Sequence, residues 1–376
     1  MEGIYIHIPF CKKICNYCDF YKMVVSDSYK EKYIDYLIKD LKNTISKYNV
    51  KKINTIYIGG GTPSCLPLNL LEKVFKTLLE SFELEKLDEF TIEANPEDIN
   101  IDFIKLIKKY YISRISIGVQ TFHIKYYPVL GRFTEFEYLK KVISLLKEND
   151  LTNYSFDLIY AIPGSNLIDL EEDLIKLISL KPKHISTYSL ILEERTILYN
   201  DYLKHKVEMI NEDLDSQMYK KIKNILEKNN YRQYETSNFS LEGYESKHNL
   251  IYWNCNKYFG IGPAASSFID NIRFTKITNM NKYYQMLDND LEPVDEYEYL
   301  DSLRLMEDYV MLGLRKIEGI NLKDFENRFG ICLFENFRKI NELIKQNMLL
   351  KEDDFLKISD EYIYISNFII SKILFD

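Results

Sequence analysis

The chain has 376 residues, a hydrophobic fraction of 46% and a formal net charge of −8. That is enough for one large domain with a smaller one, and the acidic balance argues against a general electrostatic grip on nucleic acid or an anionic membrane. No apolar run reaches the roughly 18 residues that a membrane-spanning helix needs, so none is expected. Met1 leads almost directly into a strand, so no targeting segment is expected. Six cysteines that do not form a disulfide framework point to a reducing compartment, the cytoplasm.

In chain order, strand-like runs fall at 4–8, 55–58, 89–93, 114–119, 154–159 and 184–190, rich in β-branched and aromatic residues. Helical patterns lie between them, at 26–48, 68–82, 101–109, 135–148 and 170–180. The first opens on a Ser/Asp cap region and repeats apolar residues at Tyr33, Tyr36, Leu37, Leu41 and Ile45. Strands alternating with helices imply parallel βαβ units. The alternation stops after six, which argues against a closed eight-unit barrel. In barrels of this kind the active groups sit at the C-terminal strand ends.

Beyond about Tyr231 the alternation ends. The expected division is a core of residues 1–233 and a C-terminal unit of residues 234–376. The segment 234–274 reads as irregular. Helices are expected at 301–315 and 333–347, and a hairpin from 356–358 and 362–365, a winged-helix-like set. Such a module can bind DNA, but the acidic chain has no Lys/Arg stripe, so a packing or cover role is expected.

Cys11, Cys15 and Cys18 follow the first strand with the spacing C-x3-C-x2-C. Three thiolates can hold three irons of a 4Fe–4S cluster and leave the fourth open. The amino and carboxylate groups of S-adenosylmethionine (SAM) can fill that place, the basis of SAM radical chemistry. Tyr17 and Phe20 could shield the cluster. A zinc site is the rival, since three cysteines and a water are allowed. No second cysteine pair or His-x3-His stands near enough to close a structural zinc site. Cys65, Cys255 and Cys332 read as ordinary buried residues.

Gly59, Gly60, Gly61, Thr62 and Pro63 end the second strand. Glycine lets backbone approach a ligand closely. A phosphate loop would need the Lys-Ser/Thr that is missing here, and a simple tight turn is the plainer reading. Glu93, Gln120 and Asp157 are polar groups at or near the ends of apolar strands. Buried unpaired they would be costly, so they face a polar ligand or satisfied structural partners. His248, Asn249, Tyr252 and Trp253 form HNLIYW, with the only tryptophan. Histidine is a common heme ligand, and aromatics suit a porphyrin face. A lone histidine is also commonly structural.

Nine segments in collinear order carry a resemblance: YIHIPFCKKICNYCDF from Tyr5, IYIGGGTPS from Ile56, TIEANPE from Thr91, RISIGVQTF from Arg114, LGR from Leu130, DLIYAIPG from Asp157, HISTYSLILEE from His184, YETSNF from Tyr234 and HNLIYW from His248. Together they resemble the radical SAM superfamily, in the branch with the oxygen-independent coproporphyrinogen dehydrogenases and the HemW-type heme chaperones. The resemblance implies an α/β fold: a partial (β/α)6 barrel followed by a mainly helical, winged-helix-like C-terminal domain. It implies that Gly60, Gly61 and Thr62 hold the amino end of SAM. Tyr5, Glu93, Gln120, Arg132 and Asp157 are implied in the rest of that pocket, with Arg132 a carboxylate partner, and His248 as a heme residue. It further implies heme, a heme-acceptor protein and an electron donor for the cluster as partners, with membrane contact only peripheral, through an acceptor.

Two departures favour the chaperone branch over the dehydrogenases. Phe20 stands where the dehydrogenases carry another cysteine, and only ten residues precede Cys11, where they have a longer segment. Thr134 replaces the histidine of the common LGR-x-H, and Ala161 and Ser165 depart from GLPGQ. The alternatives are coproporphyrinogen III decarboxylation by a deoxyadenosyl radical and a radical SAM reaction on an unrelated substrate.

Overall fold

The computed structural model describes residues 2–374. β1 (Glu2–Ile8), β2 (Thr55–Gly60), β3 (Glu89–Ala94), β4 (Arg114–Gln120), β5 (Tyr154–Tyr160) and β6 (His184–Ser189) lie side by side, all parallel and in chain order. The helices Asp27–Lys47, Leu68–Ser81, Ile101–Lys109, Phe136–Glu148 and Leu167–Ser179 connect the first six strands. These are the units read from the sequence, each within a few residues.

The strands are two-faced. One row of side chains is apolar and buried: Ile4, Ile6 and Ile8, Ile56 and Ile58, Phe90 and Ile92, Ile115 and Ile117, Phe156 and Leu158. It joins one core with Leu37, Leu71, Phe75, Ile104, Ile107, Leu139, Leu146 and Leu174 of the helices. The alternate row is polar and bonds within itself: Tyr5 to His7, Tyr57 to Glu93, and Ser155 to Ser116. Parallel strands buried on both faces are usually continuously apolar. Here the period of two puts the core on the helix side and leaves a polar concave side.

β7 (Arg232–Gln233) and β8 (Asn238–Ser240) extend the β6 edge antiparallel. β9 (Lys257–Ile261) lies parallel to β1 on its other side, and β10 (Ser266–Ile269), β11 (Ile272–Lys276) and β12 (Val294–Tyr299) follow it antiparallel. The sheet has twelve strands, with β12 and β7 at its open edges. The expected division between 233 and 234 thus falls inside a sheet that both sides share. The segment 234–274 is not irregular, which corrects the sequence reading. Its strands are three to five residues long, too short for alternation to show. They turn at left-handed residues, Gly262 (φ 96°), Ala264 (φ 63°) and Asn271 (φ 67°). At Gly260 a Cβ would lie 2.2 Å from the Ser266 carbonyl oxygen, so only glycine lets β10 approach.

The tail carries the helices Ser302–Gly313, Leu322–Phe329, Leu333–Asn336 and Lys339–Lys345. A three-stranded sheet has β13 (Ile320–Asn321) and β14 (Leu349–Glu352) on either side of β15 (Phe355–Ile358). The hairpin is therefore 349–352 with 355–358, not 356–358 with 362–365. Its turn is Asp353-Asp354, with Asp353 at φ 48°, a conformation that aspartate tolerates. Residues 360–365 form a 3-10 turn that buries Ile363. The helix expected over 333–347 breaks at Phe337–Arg338. Among the described residues no helix is long and apolar enough to cross a membrane.

Candidate functional site

The loop after β1 is pinned at several points. Its neck closes where the Cys11 amide donates to the Met23 carbonyl at 3.0 Å and the Met23 amide to the Pro9 carbonyl at 2.6 Å. At its tip the Asn16 amide donates to the Leu130 carbonyl at 3.0 Å, and Lys13 Nζ to the Gly131 carbonyl at 3.1 Å. Gly131 is left-handed (φ 71°), and a Cβ there would stand 2.9 Å from Asn16 Oδ1. The LGR run is thus a seat for the cysteine loop, which sequence reasoning assigned only to SAM through Arg132.

The glycine-rich end of β2 lies directly on this loop. The Gly61 amide donates to the Ile8 carbonyl at 2.8 Å and the Thr62 amide to the Phe10 carbonyl at 2.7 Å. The Thr62 hydroxyl reaches Cys11 Sγ at 3.6 Å. Cys11, Cys15 and Cys18 are free thiols, each partly exposed. Burial pushes the Cys11 thiol up to about 11; the Thr62 hydroxyl opposes this, and Cys18 and Cys15 reinforce it. Burial also raises Cys18, against Lys22. Thiols held protonated must give up their protons to a metal. Phe20 is 64% exposed, whereas Tyr17 is partly buried beside Cys15 and Arg132.

Behind the loop the polar face collects the other residues. Glu93 accepts the Tyr57 hydroxyl at 2.8 Å on one oxygen and the Gly60 amide at 3.0 Å on the other. Desolvation in this recess pushes its carboxyl up to about 7, although the Tyr57 bond opposes the shift. Gly60 (φ 118°) leaves room for His7, whose Cε1 would be 2.6 Å from a Cβ. His7 is held by the Tyr5 hydroxyl at 3.0 Å and the Tyr21 carbonyl at 2.8 Å. Gln120 ends β4 at φ 68°, where the pairing with β5 slips. Arg132 donates to the Gly118 carbonyl, and a Cβ on Gly118 would meet both Gln120 Nε2 (3.0 Å) and Arg132 Nη2 (3.2 Å). Asp157 accepts the Ser116 hydroxyl at 3.3 Å. Burial raises its carboxyl, with Ser186, Arg114 and Arg132 among the groups that oppose the shift. Tyr5, Gly60, Gly61, Thr62, Glu93, Gln120, Arg132 and Asp157 therefore share the concave face with the cysteine loop at its mouth.

His248 is elsewhere. It is 1% exposed, on the helix Lys247–Trp253, at the other end of the strands. The first residues of β2 and β3 hold it there. Nδ1 is 2.7 Å from the Thr55 hydroxyl and Nε2 is 2.7 Å from the Tyr252 hydroxyl. Glu89 caps the helix, accepting the amides of Lys247 and His248 at 3.1 Å each. Both ring nitrogens are thus engaged in this conformation, and desolvation holds the imidazole down at about 3. Sequence reasoning missed Tyr57, whose position two residues after Thr55 and two before Gly59 was the available signal.

A model of the radical SAM superfamily matches residues 5–177, and one of the HemN C-terminal domain matches residues 300–363. The heme chaperone HemW of Lactococcus lactis subsp. lactis is 37% identical over 377 residues, covering 100% of this chain and 98% of that protein. The chain belongs to the HemW family of radical SAM proteins. A second HemW, from Bacillus subtilis, is 34% identical over 341 residues, covering 89% of this chain and 88% of its own. The Escherichia coli coproporphyrinogen III oxidase HemN superposes with a TM-score of 0.86 over 100% of this chain and 90% of its own. At 18% identity it shows the shared fold: a partial barrel with a mainly helical C-terminal domain.

Membership of the radical SAM superfamily brings a 4Fe–4S cluster and SAM as cofactors. The residues of the HemW-family loop fit them. Three thiols on one pinned loop match the donor set of a four-iron cluster with one open iron. Among the described residues no group of three His, Cys, Asp or Glu side chains surrounds a single metal ion. A cluster takes one thiolate at each of three separate irons, so its ligands stand farther apart than those of one zinc.

Proposed function

We propose that this chain is a heme chaperone that carries a 4Fe–4S cluster on Cys11, Cys15 and Cys18 and SAM beside it. The observation that supports this most is the seating of the cysteine loop on the glycine-rich end of β2, in a chain alike to HemW over its whole length. When bound, the cluster offers an open iron to the amino and carboxylate groups of SAM. Gly60, Gly61 and Thr62 give those groups a close backbone approach. Glu93 supplies a carboxylate to the sulfonium cation of SAM, Arg132 a guanidinium to its carboxylate, and Tyr5, Gln120 and Asp157 the remaining polar wall.

Heme is the cargo, delivered to an acceptor protein in the cytoplasm or, peripherally, at a membrane. An electron donor serves the cluster. The HNLIYW segment is the heme segment. His248, engaged at both nitrogens, ligates iron only after the helix Lys247–Trp253 gives up those bonds. Coproporphyrinogen decarboxylation is the weaker reading, since Phe20 stands where the dehydrogenases carry a further cysteine. The test is an anaerobic assay of reconstituted protein with SAM, a reductant and coproporphyrinogen III. The expected result is no protoporphyrinogen; steady formation would replace the chaperone reading with the enzymatic one.

A further inference from the structure

Tyr57 touches both ends of the polar face. Its hydroxyl donates to Glu93 Oε1 at 2.8 Å, and the other Glu93 oxygen accepts the Gly60 amide at 3.0 Å. Its ring stacks on the His248 imidazole, with centroids 5.2 Å apart and planes inclined by 30°. Beyond His248 the contacts continue into the same helix: Nε2 to the Tyr252 hydroxyl at 2.7 Å, with the two rings edge to face at 5.1 Å. On its other flank Tyr57 stacks with Tyr5 at 6.1 Å. One side chain thus links the carboxylate beside Gly60 to the HNLIYW helix.

We propose that Tyr57 couples the SAM pocket to the heme segment, so that SAM binding loosens the hold on His248 and strengthens heme binding. This rests on the reading that Glu93 serves SAM and HNLIYW serves heme. A cation drawn to Glu93 makes a charge-assisted contact, stronger than the bond from a neutral phenol. It pulls the carboxylate toward Gly60 and away from the Tyr57 hydroxyl. The released ring no longer packs flat against the imidazole, and the helix Lys247–Trp253 opens with less resistance. Coupling of this kind is reciprocal, so heme must strengthen SAM binding by the same factor. Tyr57 is a positioning residue here: it acts through Glu93 and His248.

Trp253, the single tryptophan, lies on the same helix, and its buried indole N–H has no partner among the described residues. Its emission therefore reports on the segment directly. In the cluster-reconstituted full chain, SAM should change Trp253 emission along the calorimetric binding curve. Heme should bind about 5- to 20-fold tighter in saturating SAM, within the usual range of such couplings. Tyr57→Phe keeps the ring and removes the hydroxyl. It should still bind SAM by calorimetry, show no emission change, and bind heme equally well with and without SAM. A merely structural tyrosine would leave that ratio as in the wild type. A wild type whose heme affinity ignores SAM, or a Tyr57→Phe variant that keeps the ratio, overturns the coupling. No saturable heme binding at all would overturn the chaperone reading instead, and the Trp253 response to SAM, with its loss in Tyr57→Phe, then judges the coupling alone.

Discussion

A methyl group on Gly61 would stand 3.0 Å from the sulfur of Cys11 and 2.7 Å from the carbonyl oxygen of Phe10. The glycine therefore supports the cysteine loop as well as a ligand. The contact with Cys11 extends the cost of a larger residue from SAM to the cluster. Gly61→Val should lower both iron content and SAM binding after anaerobic reconstitution, because fixed backbone cannot yield to the new side chain. Full iron and sulfide in a folded Gly61→Val protein would refute the close seating.

Iron binding should depend on Cys11, Cys15 and Cys18 alone. Each Cys→Ala variant should lose most cluster absorbance, and the triple variant all of it. Cys65→Ala and Cys255→Ala should keep it. Both of those thiols are buried, and burial raises each to about 12. The measurement is iron, sulfide and the visible spectrum on equal protein.

Affinity for SAM should rise with pH through neutrality. Glu93 stands at about 7 in the free protein, and a cationic ligand needs it ionised. At pH 6 most of the population must first lose a proton, so binding should be about tenfold weaker than at pH 8. Calorimetry in buffers of different ionisation enthalpy should register the released proton. In Glu93→Gln the slope should vanish along with much of the affinity. A pH-independent wild-type affinity would count against Glu93 as the contact.

His248→Ala should destabilise the fold by about 2–4 kcal/mol, because it removes buried packing and leaves the Thr55 and Tyr252 hydroxyls unpaired. The sign of its pH dependence follows from its titration. His248 titrates at about 3 when folded and near 6.5 when unfolded. Its contribution is full above pH 6.5 and is lost as pH falls toward 3, at up to about 1.4 kcal/mol per pH unit. The gap between the wild type and His248→Asn should therefore narrow by about 2 kcal/mol between pH 7 and pH 5. Denaturant melts at both values check this; a constant gap would mean that the imidazole is not held neutral.

The barrel units were legible because their signals are local and strong. The runs at Ile4–Ile8 and Arg114–Gln120 alternate polar and apolar residues, and a helix such as Asp27–Lys47 repeats its apolar residues over 21 positions. β9 to β11 were not legible, since a strand such as Ser266–Ile269 is set by its pairing across Gly260 rather than by its own composition. The mouth residues were readable as polar interruptions at strand ends. The burial of His248 was not, because Thr55 and Glu89, the groups that hold it, lie about 190 and 160 residues away in sequence.

The most direct test of the chaperone reading is a heme titration of the anaerobically reconstituted full chain, followed by its absorption spectrum. Saturable binding of one heme per chain, with the heme then released to an added apo-heme protein, is the predicted result. Heme that associates only without saturation, or that no acceptor can withdraw, would contradict the account.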